Sequence, residues 1–306
     1  MSKIKLLIGA FVLGLSSLLP GQRAWEGRYV AFNIANDILV LPVKTDQYFT
    51  SGLTLELGRI ENTSSGLLAN NRATHQRYWR LTQNIFTPKE IESSDLLTDD
   101  RPFASYFVIS RGQAYHNPDL GFHLTSEWTA GVLGKYAMGE QAQNAFHNIV
   151  DFAEPLPGWR NEVKPDIILN YRLRLEQRYA LGSRAALTTA LDGRLGTLHT
   201  DVAPEVGFNL QLIRLSATKS LTFKTFVSGR FVAHNATLTG GPFNRDERFR
   251  DVIKPDVFVR TFGIDGFIDL NALRLQGGFR YLSREFVGGD SHMWAWMGVR
   301  VMPGRG

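Results

Sequence analysis

Three small groups of polar residues stand where an otherwise alternating chain has no structural use for them, and together they hold what ester hydrolysis requires. One is His147, which ends the run Gln141-Ala142-Gln143-Asn144-Ala145-Phe146-His147. An imidazole titrates near neutral pH and can take a proton from water. If the run is helical, Gln143 shares the face of His147 four positions on, and Asn144 precedes the histidine by three. The second group is Asn36-Asp37, inside an apolar segment made by Val30, Phe32, Ile34, Ile38 and Val40. Asn36 falls on the apolar register, where an amide is costly, so a strand is expected to end, bulge or be covered there. The third is Thr45-Asp46-Gln47-Tyr48-Phe49-Thr50-Ser51-Gly52, with Thr50 expected on the polar face. Carboxylate and amide oxygens are hard ligands that suit a cation able to stabilise an oxyanion. Taken alone, each group also has a plain reading: a surface turn, a wetted wall threonine, and a histidine satisfied by hydrogen bonds.

Other hydrolytic chemistries lack their signatures. The chain has no G-x-S-x-G elbow, no H-E-x-x-H, no phosphate loop and no cysteine. The formal charge is +5, from 34 basic and 29 acidic residues. Its arginines and lysines are interleaved with acids rather than clustered, which argues against a nucleic-acid partner.

Residues 1–24 follow the plan of a secretory signal: Lys3 and Lys5, an apolar stretch from Leu6 to Leu19, then Pro20, Gly21 and Ala24. The apolar run is shorter than the roughly 18–20 residues of a spanning helix. Cleavage is expected near Ala24, leaving residues 25–306 as one domain. Without the signal's three basic residues the formal charge becomes +2, 31 basic minus 29 acidic.

The elements that must position the polar groups are strands. Period-two alternation recurs along the chain, most clearly at 167–179, where Ile167, Leu169, Tyr171, Leu173 and Leu175 alternate with Asn170, Arg172, Arg174 and Glu176. Twelve such segments are expected, at 28–40, 48–59, 77–86, 103–115, 121–134, 167–180, 185–197, 204–213, 220–234, 256–268, 273–285 and 291–301. Phe49, Leu53, Leu55 and Leu57 are assigned to one apolar face of the second segment. A soluble sandwich would alternate too. Segment length, the even count and the export signal favour a twelve-stranded antiparallel transmembrane β-barrel, with charges lining the lumen and no partner needed to satisfy sheet edges. Tyr78, Trp79, Trp128, Tyr171, Tyr179, Trp294 and Trp296 fit interfacial girdles. Short turns at 181–184 and 269–272 suit the periplasmic side, and the long intervals 60–76, 87–102, 135–166 and 235–255 suit external loops. Within the third of these, residues 138–150 lose the period of two and read as a short amphipathic helix.

The motifs are more specific in combination. Asn36-Asp37, T-D-Q-Y-F-T-S-G at 45–52, D-R-P-F-A at 100–104, G-V-L-G at 131–134, E-Q-A-Q-N-A-F-H at 140–147, P-G-W at 157–159, H-N-A-T-L-T-G-G-P-F at 234–243 and S-R-E-F at 283–286 occur in order. In this the chain resembles the lipid A 3′-O-deacylase family of outer-membrane β-barrels, from about residue 28 to the end. The resemblance implies a twelve-strand barrel whose site lies between the wall and a helix from an external loop. It also implies a calcium ion at the oxyanion hole, a histidine that activates water, and lipid A of lipopolysaccharide as substrate. Carried over by position, His147 matches the base and Asn36, Asp37 and Thr50 match the polar set of the first two strands, with Asn36 and Asp37 toward the metal. Glu154 matches an acid after the helix if one residue is inserted, with Asp151 as the substitute.

Three functions follow from these residues. The first is a calcium-dependent esterase that removes the 3′-linked acyloxyacyl group of lipid A, acting as a monomer in the outer membrane with its site facing outward. The second is a broader phospholipase or acyl-ester hydrolase. The third is a non-enzymatic pore or lipid-binding barrel, which would leave Asn36-Asp37 and the helix-bearing loop unexplained.

Overall fold

The computed structural model describes residues 27–40, 47–63, 73–150, 156–216 and 218–302. The proposed signal and its cleavage point lie outside them. Twelve strands run in chain order: β1 Gly27–Asn36, β2 Tyr48–Asn62, β3 Thr74–Thr87, β4 Ala104–Asn117, β5 Phe122–Leu133 and β6 Asp166–Ala180. They continue as β7 Ala185–Gly196, β8 His199–Arg214, β9 Lys219–Asn235, β10 Phe258–Leu270, β11 Leu273–Leu282 and β12 His292–Val301. Each pairs antiparallel with its neighbour in sequence, and β1 pairs with β12, so the sheet closes into a barrel. Helix α1 spans Gly139–Val150, and two single-turn helices, α2 Ala236–Thr239 and α3 Glu247–Arg250, lie between β9 and β10.

Which face holds the charge decides between a membrane barrel and a soluble one. Ile167 and Leu169 are 57% and 54% exposed on the outer face, whereas Glu56, Asp192 and Asp265 are 5%, 5% and 6% exposed. The apolar side is therefore outward, toward hydrocarbon, and the charges are inside.

Inside, the charges neutralise one another. Arg80 bridges Glu56 and Glu127, each at 2.7 Å, while the Tyr29 hydroxyl donates to Glu56 (2.6 Å) and that of Tyr78 to Glu127 (2.8 Å). Both tyrosine rings lie over a glycine of the next strand. A Cβ at Gly58 would sit 2.3 Å from Tyr29, and one at Gly112 2.1 Å from Tyr78, so only glycine leaves room for the ring. Further along, Arg172 grips Asp192 bidentately at 2.8 and 2.9 Å, and Lys224 and Arg174 share Glu205. A cavity of ≈570 Å³ remains in the lumen, lined in part by Tyr106, His199, Glu205 and Trp294.

Several sequence expectations change. The chain alternates ends at each connection, so the end of β2 at Asn62 and the start of β3 at Thr74 lie at the end of the barrel that carries the short turns 181–184 and 271–272, opposite the external loops. Loop length had suggested the wrong end for 60–76. Tyr78 is buried against Glu127, the Trp296 indole N–H donates to Asp265 (3.1 Å), and Trp294 packs on Phe49, so these three aromatics face the lumen. Trp79, Trp128 and Tyr179 remain outward, at 50%, 68% and 49% exposure. Phe49 also faces inward, because a bulge between Phe49 and Ser51 breaks the β2 alternation.

Candidate active site between the outer wall and a surface helix

At the external end, strand β1 stops at Asn36 rather than continuing to residue 40. The Asn36 amide oxygen accepts from the Ile38 N–H at 2.8 Å, capping a single 3-10 turn over Asp37–Leu39. This solves the misplaced amide: Asn36 is 5% exposed although it sits on the lipid register. Asp37 is 4% exposed, and its Oδ2 accepts from the Gln47 N–H at 3.0 Å. Asn36 lies in register with Ser51 of β2 and Ala295 of β12.

Thr50, next to Ser51, occupies the bulge. Its hydroxyl pairs with that of Thr87 at 2.7 Å, and both residues are buried, so Thr50 is not the lumen-facing threonine that simple alternation gives. Two residues earlier, Tyr48 holds φ at 66°, a left-handed conformation that costs a bulky residue about 1–3 kcal/mol. Edge contacts to Phe286 (5.6 Å) and His292 (5.4 Å), and the Asp290 N–H donating to its hydroxyl (3.0 Å), hold it there. Strain and bulge thus both fall within T-D-Q-Y-F-T-S-G.

Helix α1 packs on the outer wall. Its approach is a 3-10 turn over Gly134–Ala137, whose Ala137 carbonyl accepts from Gln83 of β3 at 2.6 Å. Gln83 belongs to the outward register with Leu81 and Ile85. Beneath the helix, Ile85, Phe103, Leu156 and Trp159 form a buried apolar cluster, with Ala142 packed against it. Gly139, the first helical residue, lies so close to β4 that a Cβ there would be 2.4 Å from that of Ser105. Pro157 and Gly158 turn the chain so that the Trp159 indole N–H donates to Gln143 Oε1 at 2.9 Å. The helix thus covers β3 and β4, and at the top of β3 the Thr87 hydroxyl pairs with Thr50 of β2.

Glu162 follows in the same loop. Its carboxyl accepts from the Ser105 hydroxyl at 2.6 Å, and burial pushes it up to about 8 despite that bond. Sequence reasoning missed it, because a lone acid in a loop carries no signal.

The external loops are tied together beside this site. Arg101 of D-R-P-F-A is fully buried, forms an ion pair with Glu285 of S-R-E-F, donates to Thr237 (2.6 Å) and lies 4.2 Å from the centre of the Phe86 ring. Leu238, Val163, Phe249 and Phe286 join Tyr48 and Leu133 in an apolar cluster over the external mouth. Asp246 accepts from the Lys164 N–H at 2.8 Å, joining the loop after β9 to the loop that carries α1.

His147 lies in the last part of α1, where the backbone is helical as expected. Glu154 and its substitute Asp151 lie outside the described residues. Among the described residues, no group of three or more His, Cys, Asp or Glu side chains is arranged to hold a metal.

Comparison with solved structures supports this architecture. LpxR from Salmonella typhimurium matches with a TM-score of 0.76 at 16% identity, over 90% of this chain and 99% of that one. The β domain of the Bordetella autotransporter Brka matches with a TM-score of 0.50 at 11% identity, over 92% and 100%. At such identities the likeness is one of fold. A search of curated protein sequences finds no match. The family model described as outer membrane protein LpxR matches residues 6–302, nearly the whole sequence, and the chain belongs to that family of outer-membrane β-barrels.

Proposed function

We propose that this protein is an outer-membrane ester hydrolase that removes the 3′-linked acyloxyacyl group of lipid A. The observation that carries the reading is the position of α1: a helix bearing His147 lies on the lipid-facing side of the wall, at the external end. Polar Asn36, Asp37 and Thr50 gather at the tops of the neighbouring strands. A lipid in the outer leaflet reaches that surface without entering the barrel. The lumen, by contrast, is crossed by paired charges around its remaining cavity and lies beneath an apolar cluster, which gives the pore reading little support.

The chemistry assigned to the residues is water attack. His147 takes a proton from water as its oxygen bonds to the ester carbon, and returns it to the departing sugar oxygen. An acid after the helix, Glu154 or Asp151, would orient the imidazole. Asn36 and Asp37 offer hard oxygens, and each has one oxygen already fixed by a backbone N–H. That donor set fits calcium better than zinc, with backbone carbonyls, water or substrate oxygens completing the six to eight ligands calcium takes. Calcium bound there would supply positive charge for the developing oxyanion. Thr50, tied to Thr87, would hold the top of β2 in position beside them.

Lipid A and phospholipid mass spectrometry of cells with and without the protein tests the reading. Loss of an acyloxyacyl mass from lipid A is expected, and it should disappear when purified protein is assayed with a strong chelator. A change confined to phospholipids, or no change in either lipid, would overturn it. Full activity after chelation and dialysis would remove calcium from the scheme.

A further inference from the structure

We propose that the lipid-facing wall formed by β1–β4 binds anionic phospholipid at its periplasmic end, with Arg77 and Arg111 holding one headgroup phosphate between them. The signal is a row of like charges on the outside of the barrel. Arg28 of β1 lies directly across from Arg59 of β2, and Arg59 directly across from Arg77 of β3. All three are exposed on the register that carries Leu57 and Trp79 toward lipid, and so is Arg111 of β4. One carboxylate meets the row: Glu61 lies 3.0 Å from Arg59 and 3.7 Å from Arg77. Among the described residues no acid pairs with Arg28 or Arg111, so four guanidiniums share one carboxylate. Like charges directly opposite on neighbouring strands destabilise a sheet, and a bound anion removes that cost.

Position in the membrane identifies the anion. Arg28 lies eight residues before Asn36, where β1 ends beside the candidate active site. At the usual strand rise and barrel tilt that is about 20 Å, which puts the row at the opposite edge of an apolar band about 25 Å tall. Arg111 stands in register between Trp79 and Trp128, both exposed toward lipid, with its guanidinium 5.4 Å from the centre of the Trp79 ring. Such aromatics mark the interfacial level of a barrel. Gln113 lies across from Arg77, so Arg77 and Arg111 are diagonal neighbours, about 7–8 Å apart. A phosphate fits between two guanidiniums at that spacing, each offering a fork of N–H donors, with the Gln113 amide beside it. Leu57, Leu81 and Ile109, exposed just above the row, would take the acyl chains. A phosphate on this face and at this level belongs to a lipid of the periplasmic leaflet, because the phosphates of lipopolysaccharide lie at the external end.

The test uses native mass spectrometry of the detergent-purified barrel mixed with phosphatidylglycerol or phosphatidylcholine. Wild type should retain phosphatidylglycerol in preference to phosphatidylcholine, and an Arg77→Gln/Arg111→Gln variant with a normal heat-modifiable gel shift should retain at least about 10-fold less of it. If the variant does not insert, wild type alone decides. Its gel shift should need a higher temperature in phosphatidylglycerol vesicles than in phosphatidylcholine vesicles, and about 1 M salt should erase the difference. Equal retention by wild type and variant, equal retention of the two lipids by wild type, or the same shift temperature in both vesicles would overturn the proposal. Displacement of the lipid by millimolar inorganic phosphate would also overturn it, in favour of a site for free anions.

Discussion

Arg101 and Glu285 form a buried ion pair between two external loops, 184 positions apart in the chain, with the arginine fully shielded from solvent. Burial pushes the Glu285 carboxyl up, but the Arg101 guanidinium, together with His292 and Arg194 near it, outweighs burial and holds the carboxyl below the usual glutamate range. Removing the arginine leaves an uncompensated charge, at a cost of about 3–5 kcal/mol. The strand ladder does not depend on this pair, so the loss should fall on the loops. Arg101→Ala should speed protease cutting of the loops 88–103 and 283–291 on intact cells by about 10²-fold, with the barrel's gel shift retained. The pair's contribution is complete above the ordinary glutamate range and is lost as pH falls through the lowered value. Wild-type loops should therefore become protease-sensitive on acidification, and unchanged cutting of Arg101→Ala would refute the assignment.

Glu162 predicts the opposite pH dependence. Its carboxyl sits near 8 when folded, against an ordinary value near 4.5, because burial opposes the charge. The folded state therefore holds a proton that the unfolded state has already lost. Stability of the loop is fully present below about 4.5 and declines as pH rises to about 8. Glu162→Gln keeps a partner for Ser105 and cannot ionise, so it should flatten hydrogen-exchange protection of residues 134–150 between pH 5 and pH 9. Equal pH dependence in the variant and wild type would show that another group is responsible.

Gly139 sets how closely α1 can approach the wall. A Cβ at this position would fall 2.4 Å from the Ser105 Cβ and 2.7 Å from Trp159, neither of which has space to retreat. Gly139→Ala should lift the start of the helix and lower deacylation by about 10²-fold, since misplacement by about 1 Å is enough for that. Barrel insertion and the gel shift should be unaffected. Normal turnover would mean that the seat of the helix does not matter to the reaction.

The barrel was legible because hydrocarbon on one side and a charged lumen on the other impose alternation on every strand, as at Ile167, Leu169, Arg172 and Arg174. The expected segment at 185–197 differs from β7 by one residue. What failed has local causes. Tyr78, Trp294 and Trp296 look the same as girdle aromatics, since a ring with a polar tip suits either face. The bulge at Thr50 reversed Phe49, and the nearest sign of it is Gly52 just beyond, where a Cβ would fall 2.9 Å from the Phe49 ring. Loop length gave the wrong end for 60–76, where counting strands would have given the right one. Asn36-Asp37 was found because an amide on the apolar register conflicts with its surroundings, and the capped turn that ends β1 is how the fold resolves the conflict. Arg101 and Glu285 were visible only as members of motifs, because an ion pair across 184 residues leaves no local pattern.

His147 is the residue on which the proposed reaction turns. It follows Gln143 by one turn of a helix held on the lipid side of the wall, where an outer-leaflet substrate would pass. As a general base it would contribute about 10²–10⁴-fold, so His147→Ala should insert and shift on gels normally yet be nearly inactive. His147→Asn distinguishes base from scaffold: the amide retains hydrogen bonding but cannot take a proton near neutral pH, and it should be as inactive as alanine. With water as the nucleophile, no acyl group should remain on the protein, so mass spectrometry of enzyme quenched during turnover should find it unmodified. Deacylation at the wild-type rate by a correctly inserted His147→Asn protein would exclude the base role, and an acyl adduct on Thr50 or a serine would replace water attack with nucleophilic catalysis.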